Sequence, residues 1–216
     1  KTRNRTTSGL GRLRNVTNSS QPQQPRRVGI LLHPARPEAI DVAEKFVQGT
    51  IGTGITCVGF GDRIAELRER VRDVTIEQGV LGDPGPLELM VVFGGDGTIL
   101  WAAEGVVPRG VPLLGVNLGH VGFLAELESH DVHKLVQQVV ERHYTVEERL
   151  TPDVEVVDPE GHQIWSSFAV NEVSLEKAAR EKMLDVLVEI DHLPVSRWSC
   201  DGMLVSTPTG STAYAF

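Results

Sequence analysis

Cysteine is scarce: the chain of 216 residues holds two, Cys57 and Cys200. A disulfide framework normally uses more, so two reduced thiols are expected instead of a stapled secreted scaffold. No apolar run approaches the ~20 residues that a membrane helix needs. The N-terminus carries no apolar signal-peptide core, and the expected compartment is the cytoplasm. Lys1, not Met, begins the chain, which points to a processed or trimmed N-terminus. No internal repeat is visible. The common nucleotide signatures are also missing. There is no G-x-x-x-x-G-K-[ST] string, which excludes a P-loop. Gly52-Thr53-Gly54 opens like a dinucleotide-binding turn, but Cys57 stands where its third glycine belongs. That stretch is read as a plain loop.

What is present fits a soluble globular chain. Hydrophobic residues make up 40% and charged residues 23%, enough to build a core. The length suits one large domain, or one domain and part of another. The net charge of -8 is unevenly spread. Residues 1–27 hold seven basic side chains and no acid, which leaves -15 on the remainder. An acidic body excludes a nucleic-acid-binding domain, which needs clustered Lys and Arg. With no amphipathic basic segment, a membrane partner is not expected either. Ser, Thr, Asn, Gln and Pro fill the rest of residues 1–27, so that arm is expected to be disordered.

Val28–Leu32 is a short apolar run of the kind a buried strand shows. Pro37 opens a helical repeat carrying Ala39, Ile40, Val42, Ala43, Phe46 and Val47. Ile55–Phe60, Leu87–Phe93 and Val111–Val116 read as further strands. Ile64, Leu67, Val71 and Val74 recur at helical spacing behind a possible cap at Asp62. Ile99–Val107 and Asp131–His143 complete the helices. Alternating strands and helices, with apolar strands throughout, predict an α/β fold: a Rossmann-like parallel sheet covered on both faces, over 28–144. From residue 145 to 216 the pattern changes. Val154–Val157, Ile164–Val170 and Leu184–Ile190 are rich in β-branched residues. Turn signals stand at Asp158–Gly161 and Asp191–Pro194. This predicts a mainly antiparallel all-β domain, incomplete at Phe216.

Two glycine-containing turns carry the chemistry. Gly94-Gly95-Asp96-Gly97-Thr98 follows a strand and precedes a helix. Ligands of open parallel sheets sit beyond the carboxyl ends of the strands, and helix-start amides bind phosphate oxygens. The glycines are expected to admit a ligand closely and to adopt dihedrals that other residues avoid. Asp96 would repel phosphate, so its work is to orient a hydroxyl, accept its proton or reach a metal ion. Asn117–Leu124 is a loop at the same sheet edge, where Phe123 offers a face for base stacking. Asn171-Glu172 presents donor and acceptor groups together, as a ribose diol or an adenine edge requires. Val205–Tyr214 sets Ser206, Thr207, Thr209, Ser211 and Thr212 around Gly210 before an expected helix start, a cradle for an anion or a ribose.

Together these motifs resemble the NAD kinases, which phosphorylate the adenosine-ribose 2′-hydroxyl of NAD to give NADP. The resemblance runs from Val28 to the last residue. Gly94–Thr98 alone is shared with diacylglycerol-type lipid kinases and with sugar-phosphate kinases such as the phosphofructokinases. Asp201-Gly202 with Val205–Tyr214 and Asn171-Glu172 is far more specific, and Asn171–Lys177 looks like the actinobacterial branch. The resemblance implies an active site between an α/β and an all-β domain, with Asp96 as general base. It implies NAD contacts at Asp96, Gly97, Phe123, Asn171, Glu172, Lys182, Asp201, Thr212, Ala213 and Tyr214. Gly94, Gly95 and Thr98 match residues that take the phosphate donor, ATP or polyphosphate, with Mg²⁺ or another divalent ion. Members of the family often carry a basic residue where Trp101 stands, and they continue well beyond Phe216. A homodimer or homotetramer is implied. A lipid or sugar-phosphate kinase, or a nucleotide-binding but inactive fragment, are the alternatives.

Overall fold

The computed structural model describes residues 25–118, 124, 127–128, 131–178 and 182–215. They form two compact units that divide between Val146 and Glu147. The first unit holds β1 (Arg26–Leu32), α1 (Glu38–Gly49), β2 (Ile55–Phe60), α2 (Ile64–Arg70), β3 (Ile76–Gln78), β4 (Leu89–Phe93), α3 (Asp96–Val106), β5 (Leu113–Asn117), β6 (Leu127–Glu128) and α4 (Val132–Val140). Its six strands pair in parallel, in the order β3-β2-β1-β4-β5-β6. The order reverses between β1 and β4, the switch point at which doubly wound sheets bind ligands.

Both faces of the sheet are covered, which is why the strands read as continuous apolar runs. On one face Val28, Ile30, Leu32, Val91 and Phe93 pack with the apolar sides of α1, α2 and α4. On the other, Leu31, Val58, Phe60, Met90 and Val92 pack with Ile99, Ala102 and Val106 of α3. The alternation along β1 follows from the two-residue period of a strand. The Phe46 ring of α1 meets that of Phe93 at the end of β4, centroids 5.7 Å apart and tilted.

Residues 1–24 of the expected disordered arm lie outside the described residues. The arm's last two members are a correction: Arg26 and Arg27 belong to β1. Their charges suit a strand because carboxylates meet them there. Arg26 bonds both oxygens of Glu88 at 2.8 and 2.6 Å, and the carbonyls of Val139 and Val140 at the end of α4. Arg27 reaches Glu77. Arg142 and Tyr144 also donate to Glu88, each at 2.9 Å. Burial alone would push the Glu88 carboxyl up, but the bonds from Arg26, Arg142 and Tyr144 outweigh it and bring it down from 4.5 to about 2. Burial, then the Glu88 charge, pushes the Tyr144 phenol up to about 12.

A smaller expectation also changes, at Asp62, while the plain loop expected at Gly52–Gly54 is found. Asp62 does not cap α2; Arg63 occupies the cap position, and Val71 and Val74 lie beyond the helix. Gly52 and Gly54 have φ of 76° and 78°, so the stretch after α1 is a left-handed loop that glycine alone tolerates well.

The second unit holds three antiparallel pairs: β7 (Asp153–Val157) with β8 (Gln163–Phe168), β9 (Glu172–Glu176) with β12 (Gly202–Ser206), and β10 (Leu184–Ile190) with β11 (Leu193–Cys200). The β10–β11 turn is two residues, Asp191 and His192, both at positive φ, as a right-twisted hairpin requires. The expected turn therefore ends before Leu193, and Pro194 sits in β11, opposite Glu189 where the register shifts. A proline lacks the amide that a regular ladder would need, and an irregularity tolerates it. Among the described residues every buried hydrophobic side chain lies between Val28 and Val139; Trp165, Leu187, Leu193 and Trp198 of the second unit are all at least half exposed. Both cysteines are unpaired. No described helix is long and apolar enough to cross a membrane.

Candidate active site

At the switch point, the loop after β1 and the turn after β4 lie side by side. The His33 amide donates to the Phe93 carbonyl at 2.9 Å, and the Gly94 amide to that of Val116 at 3.1 Å. A cavity of about 490 Å³ opens there, lined by His33, Pro34, Arg36, Gly95, Asp96, Gly97, Thr98 and Trp101. A second cavity of about 380 Å³ takes in Thr50, Gly52, Asp73 and Glu77. It has two carboxylates and no basic side chain in its wall, a poor setting for a polyanion.

Asp96 is the first residue of α3 and Gly95 its cap. The Leu124 amide donates to Asp96 Oδ1 at 3.0 Å, which fixes the carboxylate at the mouth of the helix. Thr98 is buried, and a Cβ on Gly94 would strike its side chain at 2.6 Å. Gly95 and Gly97 differ. A Cβ on either would meet nothing within 4 Å, and neither has a positive φ. The expected special dihedrals are therefore absent. Neither backbone conformation nor packing demands these two glycines; they leave open space beside Asp96.

The motifs of the second unit come together through β9 and β12. Glu172 pairs with Ser206 in the ladder, and the Thr207 amide donates to the Asn171 carbonyl at 2.8 Å. The Thr207 hydroxyl donates to the Val170 carbonyl at 2.6 Å and accepts from the Gly210 amide at 3.0 Å. Gly210 lies flat on Asn171: a Cβ would come within 2.0 Å of its carbonyl oxygen. Several hydroxyls read as a ligand cradle thus build the turn itself, since Ser206 and Ser211 also donate to backbone carbonyls. The expected helix start is a single 3-10 turn, Gly210–Thr212. Thr212 ends that turn, and Ala213 and Tyr214 follow directly. Asn171 Oδ1 and Glu172 Oε2 are buried and have no partner among the described residues, a costly condition that a ligand donor would relieve.

The ladder does not gather every expected contact. Asp201 lies at the far end of β12 from Thr207, at least ~15 Å away along the strand, and its carboxylate is ion-paired with Lys177. Lys182 is exposed just before β10. Phe123 lies outside the described residues. Sequence reasoning missed His33 and Arg36. Their only signal was position, directly after the strand at the switch point. Among the described residues no cluster of three or more His, Cys, Asp or Glu side chains could hold a metal ion.

Known proteins match both parts of the chain. Residues 28–144 match the ATP-NAD kinase N-terminal domain, and residues 170–216 match the ATP-NAD kinase C-terminal domain. The chain is 51% identical over 208 residues to an NAD kinase of Cutibacterium acnes, covering 96% of this chain and 64% of that protein. It is 47% identical to NAD kinase 2 of Streptomyces coelicolor, covering 88% and 63%. It therefore spans slightly under two thirds of the length of these relatives. Yeast NADH kinase, solved with NADH, shares the fold with a TM-score of 0.76 at 21% identity, over 95% of this chain and 65% of that one. An NAD kinase from Archaeoglobus fulgidus, solved with ATP, gives 0.56 at 23%, over 88% and 64%.

Proposed function

Because this chain belongs to the NAD kinase family, we propose that the protein it comes from transfers the terminal phosphoryl group of ATP, or of polyphosphate, to the adenosine-ribose 2′-hydroxyl of NAD. The observation that carries this reading is Asp96 at the switch-point cavity, its Oδ1 fixed by the Leu124 amide and flanked by two glycines whose missing side chains leave room. The acceptor oxygen forms a bond to the terminal phosphorus as the bond to the leaving phosphate breaks, and the hydroxyl proton passes to Asp96. Phosphoryl transfer commonly has a loose transition state, so alignment of that hydroxyl counts for more than early removal of its proton. Gly94, Gly95 and Thr98 take the donor, where the first amides of α3 favour phosphate oxygens. The proposed NAD contacts are Asp96, Gly97, Phe123, Asn171, Glu172, Lys182, Asp201, Thr212, Ala213 and Tyr214. Of these, the unpartnered oxygens of Asn171 and Glu172 have the best structural support.

Among the described residues Asp96 is the one carboxylate in the cavity wall. That fits a Mg²⁺ ion held mainly by donor phosphates and water, with Asp96 as the one protein carboxylate within the cavity that would reach it. When bound, such an ion would neutralise charge on the donor. A lipid or sugar-phosphate acceptor is disfavoured, because the match to NAD kinases extends through residues 170–216. The unpaired cysteines suit a reducing cytoplasm. Exposed apolar side chains on the second unit suit a homo-oligomer, which sedimentation of the full-length protein would reveal.

The test is Asp96→Asn. The variant should fold and bind NAD, while NADP formation falls by about 10²–10⁴-fold. Near-normal turnover would overturn the assignment of Asp96. NAD binding without NADP from the unaltered protein would favour a non-catalytic binder.

A further inference from the structure

Three side chains of the switch-point cavity have no part in the work assigned to Asp96: His33, Arg36 and Trp101. Arg36 is half-buried, and its guanidinium has no partner among the described residues. The other arginines described in the first unit all engage a carboxylate, an amide oxygen or a backbone carbonyl, as Arg63 does with Glu66 and Arg70 with Asp41. An uncompensated cation in a cavity wall, across from a helix N-terminus, is a place for an anion.

His33 does not add a second cation. Its Nδ1 accepts from the amides of Ala35 and Arg36 at 3.0 and 3.1 Å. Burial, and then the charges of Arg36 and Arg63, lower its pKa from the ordinary value. At neutral pH it is an uncharged ring whose Nε2–H can donate. Trp101 supplies a surface of another kind. It is 40% exposed, and a Cβ on Gly61 would lie 3.3 Å from its ring. Gly61 has a φ of 81°, so glycine there serves both the turn and the seating of the indole. An inorganic phosphate chain gains little from an indole face, whereas a nucleobase stacks on it.

On the phosphotransferase reading above, we propose that this wall is the donor subsite: Arg36 holds the phosphate chain and Trp101 takes the base, so the site selects a nucleoside triphosphate over inorganic polyphosphate. The guanidinium fork matches phosphate oxygens in pairs, and the indole distinguishes donors with a base from donors without one.

Donor binding can be read separately from turnover. In the full-length protein with Trp165→Phe and Trp198→Phe, Trp101 is the single tryptophan of the chain described here. Titration with MgATP should quench it, and magnesium tripolyphosphate should bind more weakly with little quenching. By calorimetry, Arg36→Gln should weaken both ligands about tenfold or more, with partial recovery in Arg36→Lys. Trp101→Ala should weaken MgATP about tenfold and change tripolyphosphate by less than about twofold, while Trp101→Phe retains MgATP. Binding of MgATP without quenching, equal losses for both ligands in Trp101→Ala, or unchanged binding in Arg36→Gln would overturn the proposal. If these donor effects hold but the unaltered protein makes no NADP from MgATP and NAD, the acceptor assignment fails and the donor subsite stands.

Discussion

Glu88 gives the first unit a pH dependence that can be worked out from its contacts. Arg26, Arg142 and Tyr144 converge on this one carboxylate, tying β1, β4 and the segment after α4 together. Its side chain is 16% exposed. The fall of its pKa from 4.5 to about 2 corresponds to a ceiling of about 3 kcal/mol at neutral pH. Residual solvent access and the cost of desolvating the ions reduce that, so Glu88→Gln should lose about 1–2 kcal/mol. The sign follows from the direction of the shift. The folded state lowers this pKa, so the contribution is complete above the unfolded value and disappears as pH falls through the folded one. The stability gap between parent and Glu88→Gln should be constant from pH 7 to about 5, and should close between about 5 and 2. Urea unfolding followed through Trp101, with Trp165 and Trp198 changed to Phe, reads the unit that contains Glu88. A gap that persists unchanged down to pH 2 would show that the charge is not its cause. No gap at pH 7 would show that the network adds nothing to stability.

Two further substitutions test how the motifs are built. Gly97→Ala places a methyl group where nothing lies within 4 Å. Thermal unfolding should show an unchanged or more stable protein, by up to about 1 kcal/mol from helix propensity, while calorimetry shows weaker NAD binding; unaltered NAD binding would remove Gly97 from the site. Thr207→Val removes a buried hydroxyl that donates to the Val170 carbonyl and accepts from the Gly210 amide. Leaving that carbonyl and amide without their hydroxyl partner should cost about 1–3 kcal/mol and weaken NAD binding measured by calorimetry, and a fully stable variant would contradict the role assigned to Thr207.

The sequence was most legible where burial is complete. Ile55–Phe60 is legible to the residue because both faces of the sheet are covered and Cys57, Val58 and Phe60 are buried, so that Thr56 alone interrupts the run. β3 has a single buried apolar residue, Ile76, and β6 has two residues in all, so neither leaves a usable period. β9, β11 and β12 were unread for a different reason. Their apolar residues are largely exposed and follow no alternation that a one-sided core would impose. Pro194 then drew the turn two residues too far. Asp96 and its glycines were visible as a compact motif. Arg36 was not, because its role comes from the 3-2-1-4-5-6 strand order, which places the residues after β1 beside those after β4. Arg26 and Arg27 were assigned to the arm by composition, and only their distant carboxylate partners make them strand residues.

The glycines of the central turn show how a site can be recognised for a better reason than the first one offered. Glycine in a turn usually answers a need of the chain, either a positive φ or a lack of room for a Cβ. Gly94 answers the second need through Thr98, and Gly210 does so more severely against Asn171. Gly95 and Gly97 answer neither, and Gly97 lies inside a helix, where alanine would be the more stable choice. A residue that costs stability and serves no contact within the protein points outward, to something that must come close. Beside it stand a carboxylate fixed by a backbone amide, the N-terminus of α3 and an unpaired guanidinium. These neighbours suit a pair of ligands that present a hydroxyl and phosphate oxygens. That fit is seen in the first unit alone, and it accords with the proposed phosphoryl transfer between a nucleotide donor and a sugar hydroxyl.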